Sequence, residues 1–165
     1  MAKIGIFYGS STGNTEKIAD LIAHYFGEDA ATVNVEDAHA EDLEKYDFLI
    51  LGTSTWEIGE MQEDWEVFIS ELEKADLKNK KVAIFGLGDQ EAYSESFADG
   101  ARIIYNALEG KTTIVGQWPL EGYGFDESMA VKDGKFVGLI IDEDNQKSLT
   151  AKRVQDWVEM LKREF

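Results

Sequence analysis

The sequence predicts an α/β fold, a doubly wound parallel sheet covered by helices on both faces, on three observations. Short apolar runs of strand length recur along the chain, segments with one-sided helical periodicity lie between most of them, and the run Phe48-Leu49-Ile50-Leu51 is apolar throughout. A strand buried on both faces needs that last feature, and alternation of strand with helix is the signature of a parallel sheet. The strand-like runs cover residues 3–8, 32–35, 48–52, 82–86 and 112–116, each ending in a polar or glycine-rich corner. Helical spacing of i, i+3, i+4, i+7 joins Ile18, Leu21, Ile22 and Tyr25, then Trp65, Phe68, Ile69 and Leu72, and again Val154, Trp157, Val158 and Leu161. A looser set is Phe97, Ala101, Ile104 and Leu108. After Gly116 the rhythm breaks: the chain does not reach another apolar strand until residues 136–141. This excursion, about 20 residues over 117–136, is long for a structureless loop, so it predicts local strands or a functional role.

The composition narrows the function classes. With 165 residues and 44% apolar side chains, residues 1–165 read as one domain with a sizeable core. The 33 acids against 16 bases give a net charge of −17. Such a surface repels phosphate backbones and anionic headgroups, so no nucleic-acid or membrane partner is expected, and basic protein surfaces are. Without cysteine there is no disulfide, thiolate metal site or cysteine nucleophile. No apolar stretch approaches the ~20 residues that span a bilayer, and the first residues carry no leader pattern. The expected location is the cytoplasm.

In a parallel sheet, ligands bind beyond the carboxyl ends of the strands, near the point where the winding reverses. Three strand exits stand out. The first, Gly9-Ser10-Ser11-Thr12-Gly13-Asn14-Thr15, packs four hydroxyls and two glycines into seven positions before a helix. Converging backbone N–H groups, hydroxyl donors and a helix N-terminus suit a phosphate without needing cations, although the same residue types also make plain helix caps. No Gly-Lys-Ser/Thr or G-x-G-x-x-G pattern closes the loop, which excludes the Walker A and dinucleotide motifs. The second exit carries Trp56 beside glycines, and the third, Gly86-Leu87-Gly88-Asp89-Gln90-Glu91-Ala92, leads to Tyr93. Each aromatic alone would ordinarily pack on its own loop. Two of them facing a phosphate cradle describe a site for a phosphorylated planar heterocycle.

These residues carry a family resemblance. Ser10-Ser11-Thr12-Gly13-Asn14-Thr15 resembles the Thr/Ser-x-Thr-Gly-x-Thr phosphate motif of the long-chain flavodoxins, small acidic proteins that hold FMN and shuttle single electrons. Trp56 and Tyr93 stand where that family places the residues flanking the two flavin faces, and Gly86-Leu87-Gly88-Asp89-Gln90 resembles its third FMN loop. Asp133-Gly134-Lys135-Phe136-Val137-Gly138-Leu139, the run Asp142-Glu143-Asp144-Asn145-Gln146 and the excursion after Gly116 are similar to the long-chain branch. The resemblance implies a flavodoxin-like five-stranded sheet in the order 2-1-3-4-5, with the insertion interrupting the last strand and FMN at the switch point. It also implies phosphate binding by Ser10, Ser11, Thr12, Gly13, Asn14 and Thr15. Thr55, Trp56, Glu57, Ile58, Gly59, Leu87, Gly88 and Asp89 would border the isoalloxazine, Tyr93 would flank it, Asp144 would approach the ribityl chain, and Ser54 completes the implied cofactor-binding set. Ser54 stands where many relatives have Pro, and Glu57 where Asn or Gly is common. By the same resemblance the Glu57-Ile58 peptide turns its carbonyl toward flavin N5 in the semiquinone.

The implied function is a low-potential one-electron carrier, a monomer cycling non-covalently bound FMN through oxidised, semiquinone and hydroquinone states. Residues 57–76 hold eight acids against Lys74 alone, and Asp89, Glu91, Glu95 and Asp99 follow. This negative rim is expected to dock on basic patches of a flavodoxin reductase and of acceptor enzymes. An alternative on the same architecture is an FMN-dependent NAD(P)H:quinone reductase. A signalling receiver domain is excluded, because Gly9-Ser10-Ser11 and Gly52-Thr53-Ser54 occupy the corners where it needs acids. An EF-hand starting at Asp142 is excluded by Lys147 and Arg153. His24 and His39 are isolated and are assigned no chemistry.

Overall fold

The computed structural model describes residues 3–56 and 59–165. In chain order its first half contains β1 (Ile4–Tyr8), α1 (Asn14–Phe26), β2 (Ala30–Asn34), α2 (Ala40–Glu44), β3 (Phe48–Trp56), β4 (Glu60–Met61) and α3 (Glu63–Lys74). The second half contains β5 (Lys81–Leu87), α4 (Gly100–Leu108), β6 (Thr113–Val115), β7 (Trp118–Pro119), β8 (Val131–Lys132), β9 (Lys135–Phe136), β10 (Leu139–Ile141) and α5 (Thr150–Glu164). Strands β2, β1, β3 and β5 lie side by side in parallel. The fifth position is filled in two pieces: β6 pairs with Lys81–Ala83 at the start of β5, and β10 pairs with Phe85–Leu87 at its end. This is the flavodoxin-like sheet, with its last strand interrupted by the insertion.

Side-chain alternation divides the core in two. Ile4, Ile6 and Tyr8 of β1, with Ile50, Ala83 and Phe85, pack beneath α1 and α5 against Ile18, Ile22, Val154 and Trp157. Phe7, Leu49, Leu51, Val82 and Ile84 point the other way, against Trp65, Phe68 and Leu72 of α3 and Ala101, Ile104 and Leu108 of α4. Period-two strands between period-3.6 helices thus bury both sheet faces, as the sequence pattern requires. The indole N–H of Trp157 donates to the Gly116 carbonyl at 2.8 Å, so the largest side chain under α5 leaves no polar atom stranded.

Several boundaries differ from the sequence reading, each for a local reason. β3 continues past residue 52 to Trp56, because Thr53 and Ser54 pair with Gly86 and Leu87 and β4 then folds back on Thr55 and Trp56. The predicted strand at 136–141 divides: Phe136 belongs to a small antiparallel sheet, β7–β9–β8, built by the insertion itself, while Leu139 joins the main sheet. Gly138 marks the switch. A Cβ there would lie 1.9 Å from the Ile84 carbonyl oxygen, so only glycine lets the chain cross so close to β5. Phe97 precedes α4 and joins the rings of Tyr123, Phe125 and Phe136 under the insertion. The five-residue α2 has no periodic signature in sequence; it is held by the Asp42 carboxylate, which accepts the His39 N–H at 2.8 Å.

Candidate functional site

Because β1, β3 and β5 are parallel neighbours, their carboxyl ends emerge together and the loops that follow converge. Between them lies a cleft of about 470 Å³, within the range of small-molecule sites, lined by Thr12, Asn14, Ser54, Thr55, Trp56, Leu87, Gly88, Asp89, Tyr93, Glu143 and Asp144.

The loop after β1 supplies one end. Gly13 takes φ of +93°, a conformation that favours glycine, and its N–H donates to Ser10 Oγ at 2.9 Å. Among the described residues no side chain caps α1: Ser10 serves Gly13 instead. The first-turn N–H groups of a helix have no intrahelical acceptor, so this end keeps donors and a partial positive charge. Thr12 and Asn14 face the cleft, whereas Ser10, Ser11, Gly13 and Thr15 shape the loop without lining it. Ser11 Oγ accepts from Gln62 Nε2 at 3.0 Å, and Thr15 is buried. Since Ser10 and Ser11 both accept from elsewhere in the protein, their own protons remain available to donate.

The β3 exit supplies a second wall. Thr55 Oγ1 accepts the Gly100 N–H at 2.9 Å, which fixes this segment to the start of α4. Ser54 Oγ is buried and, among the described residues, is without a hydrogen-bond partner. Trp56 remains 37% exposed. Glu57 and Ile58 lie outside the described residues. Gly59 stands off the cleft, against Asp99.

The third wall starts at Leu87, Gly88 and Asp89. Asp89 Oδ1 accepts from the backbone N–H groups of Glu91 (3.1 Å) and Ala92 (2.9 Å) and from Asn145 Nδ2 (2.7 Å). Burial works against its charge, yet the hydrogen bonds from Ala92, Asn145 and Glu91 prevail and hold the carboxyl below its ordinary value. Tyr93, 43% exposed, projects from the turn that Asp89 builds.

The segment after β10 closes the site. Asp142 is fully buried, and its carboxylate accepts from the Gln90 N–H and Nε2, the Asp144 and Asn145 N–H groups and Asn145 Nδ2. Glu143 pairs with Lys17 Nζ at 3.1 Å and accepts from Thr150 at 2.6 Å. Desolvation, reinforced by Asp89, Asp142 and Glu143, pushes the Asp144 carboxyl up.

Of the residues sequence reasoning selected, Thr12, Asn14, Ser54, Thr55, Trp56, Leu87, Gly88, Asp89, Tyr93 and Asp144 meet at one cleft. Glu143, which sequence reasoning left out, lines it too. Gln62, Gln90 and Asp142 hold the loops from behind; local sequence carries no signal of this bracing role, because what distinguishes them is partners distant in the chain. Among the described residues no Lys or Arg lines the cleft, so an anion there would rest on backbone donors and hydroxyls.

Fold and cleft define a class: a doubly wound α/β protein whose switch point pairs an uncapped helix N-terminus with two exposed aromatic rings. A family model described as Flavodoxin matches residues 6–157. The chain is 50% identical to a flavodoxin of Synechocystis sp., covering 98% of this chain and 97% of that one. It is 49% identical to flavodoxin 1 of Escherichia coli K12, over 100% and 96%. Among solved structures, Fusobacterium nucleatum flavodoxin bound to flavin mononucleotide superposes with a TM-score of 0.94 at 38% identity, over 100% and 99% of the two chains. This chain belongs to the flavodoxin family.

Proposed function

We propose that the chain is a low-potential, one-electron carrier that uses non-covalently bound FMN, moving electrons as a cytoplasmic monomer between a flavodoxin reductase and acceptor enzymes. It is an electron-transfer protein rather than an enzyme. The observation that carries this reading is the cleft itself, with the uncapped start of α1 at one end and the exposed rings of Trp56 and Tyr93 beside it. The residues present fit the cofactor. Donors at Thr12 and the first turn of α1 suit the phosphate, the aromatics suit a flat ring, and the orphaned Ser54 hydroxyl awaits a polar partner. FMN, when bound, supplies the one- and two-electron redox chemistry.

The protein sets the terms of that chemistry. Trp56 and Tyr93 would hold the ring and, by covering it, would exclude water and lower the local dielectric. Asp89, Glu143 and Asp144 put negative charge beside the same space, a field that would oppose added electrons on a bound flavin and hold its potential low. Outside the cleft, Glu63, Asp64 and Glu66 crowd the first turn of α3, where they both suit the helix dipole and extend the acidic rim toward a basic partner. No helix among the described residues is long and apolar enough to cross a membrane.

The test is a dithionite titration of the FMN-loaded protein followed by visible absorption. Two resolved one-electron steps support the proposal; a single two-electron step removes the one-electron carrier, and failure to bind FMN removes the whole reading. Rising ionic strength should slow electron transfer to a cationic acceptor protein. Steady turnover of NAD(P)H with a quinone would favour the quinone-reductase alternative instead.

A further inference from the structure

Residues 116–138 line no part of the cleft among the described residues, yet they hold one of its walls. The chain from Asp89 to Asp99 carries Tyr93 and consists of successive turns, with no helix or strand to stiffen it. The insertion grips it on both sides of Tyr93. Downstream, the Ser94 carbonyl accepts the N–H groups of Asp126 (2.8 Å) and Glu127 (2.9 Å). Upstream, the grip is a single side chain. Gln90 is 4% exposed; its Oε1 accepts the Gly124 N–H, while its Nε2 donates to Asp142 Oδ2 at 2.7 Å.

We propose that Gln90 is a positioning residue, clamping the insertion and Asp142 together so that the turn bearing Tyr93 stands in register with the flavin ring. The inference rests on the reading of Tyr93 as a flavin-flanking residue. A primary amide suits both neighbours: it accepts from a backbone N–H at one atom and donates to a carboxylate at the other, three bonds out from the backbone. A glutamate would set charge against Asp142, and a methionine would fill the space with neither bond. The clamp also gives the insertion a role in the redox site without any contact to the cofactor.

The test uses the FMN-loaded protein. Gln90→Met conserves volume, removes both bonds and should weaken FMN and riboflavin alike by about tenfold, because the wall it supports faces the ring and not the phosphate. The visible circular dichroism of the bound flavin should change with it. A second approach leaves Gln90 in place: Gly124→Pro deletes the donor, while Gly124→Ala keeps it and adds a Cβ whose nearest neighbour is Gln90 Oε1 at 3.9 Å, an ordinary van der Waals contact. The proline variant should reproduce the loss and the alanine variant should not. In a Tyr93→Ala background, Gln90→Met should add less than about twofold, since residues acting through one another are not additive. Full additivity, or unchanged affinity and dichroism in Gln90→Met, overturns the clamp. If Tyr93→Ala by itself changes neither affinity nor dichroism, the flanking role of Tyr93 has failed and takes the clamp down with it; if Tyr93→Ala has its effect and Gln90→Met has none, only the clamp is lost.

Discussion

At the α1 end of the cleft, residues 9–15 are shaped mainly by local contacts, with one long-range brace from Gln62 to Ser11: Ser10 holds Gly13, Gly13 starts the helix, and the cleft-facing residues are Thr12 and Asn14. The wall around Asp89 and Tyr93 is assembled instead from segments far apart in the chain, joined by Asn145 to Asp89, Gln90 to Asp142 and Gly124 to Gln90. The first region contains no ionisable side chain, whereas the second sets three carboxylates around the same cleft. A local loop can bind an anion with geometry alone. An assembled wall depends on tertiary contacts, and in exchange it sets Asp89, Glu143 and Asp144 around the cleft, where the proposed function has them tune a bound ring.

The largest expected effect comes from breaking the assembled wall at its centre. Asp142→Ala leaves the buried donors of Gln90, and the part-buried donors of Asp144 and Asn145, without their acceptor, and should lower the urea-unfolding free energy of the apoprotein by about 3 kcal/mol. Ser10→Ala, which costs the local loop one hydrogen bond, should lose only about 1 kcal/mol. Comparable losses in the two variants would erase the distinction between the regions.

Next come substitutions that touch the ligand more than the fold. Trp56 is 37% exposed, so Trp56→Ala should change apoprotein stability by less than about 1 kcal/mol while weakening flavin binding by about 2 kcal/mol and shifting its absorption. An unaltered flavin spectrum would return Trp56 to a structural role. Thr12→Val removes one hydroxyl donor from the α1 end. FMN affinity should fall by about 1.5 kcal/mol with riboflavin affinity preserved, because only the phosphate loses a charge-assisted bond. Equal losses for both ligands, read by flavin fluorescence quenching, would place Thr12 against the ring and not the phosphate.

The same contrast explains what could be read from the sequence. Strand-helix alternation and the seven-residue hydroxyl loop are local patterns, so the sheet, four of the helices and the α1 end of the cleft are legible in the sequence alone. Trp56 and Tyr93 were visible because large aromatics in polar, glycine-bearing corners have no core to enter. Gln62 was invisible, and Gln90 and Asp142 stood out only as members of family-like runs and not as braces, since each looks like an ordinary polar loop residue until a partner up to 52 positions away meets it. Glu143 escaped for a similar reason: its place at the cleft depends on Lys17 of α1 and Thr150 of α5. The division of the 136–141 run had one local cue, Gly138 inside an apolar run, but its cause is the backbone of β5 passing beside that glycine.

The smallest expected effect tests the charges themselves. Asp144 is raised by desolvation and by Asp89, Asp142 and Glu143, so the folded chain holds this proton to higher pH than the unfolded chain does. Between those two values the native state binds more protons, and stability falls as pH rises through the window just above the ordinary carboxylate range. Asp89 has the opposite sign: its carboxyl is held low, so its contribution is present above the unfolded value and is lost as pH falls through the folded one. Asp144→Asn should therefore stabilise the apoprotein near neutral pH, by no more than about 0.5 kcal/mol because the side chain is exposed and screened, and the gain should vanish on acidification. The α1 end offers no equivalent, having nothing to titrate, so Asn14→Ala should leave the shape of the stability profile against pH unchanged. A gain in Asp144→Asn that persists at low pH would show that the repulsion among these carboxylates is not what strains the assembled wall.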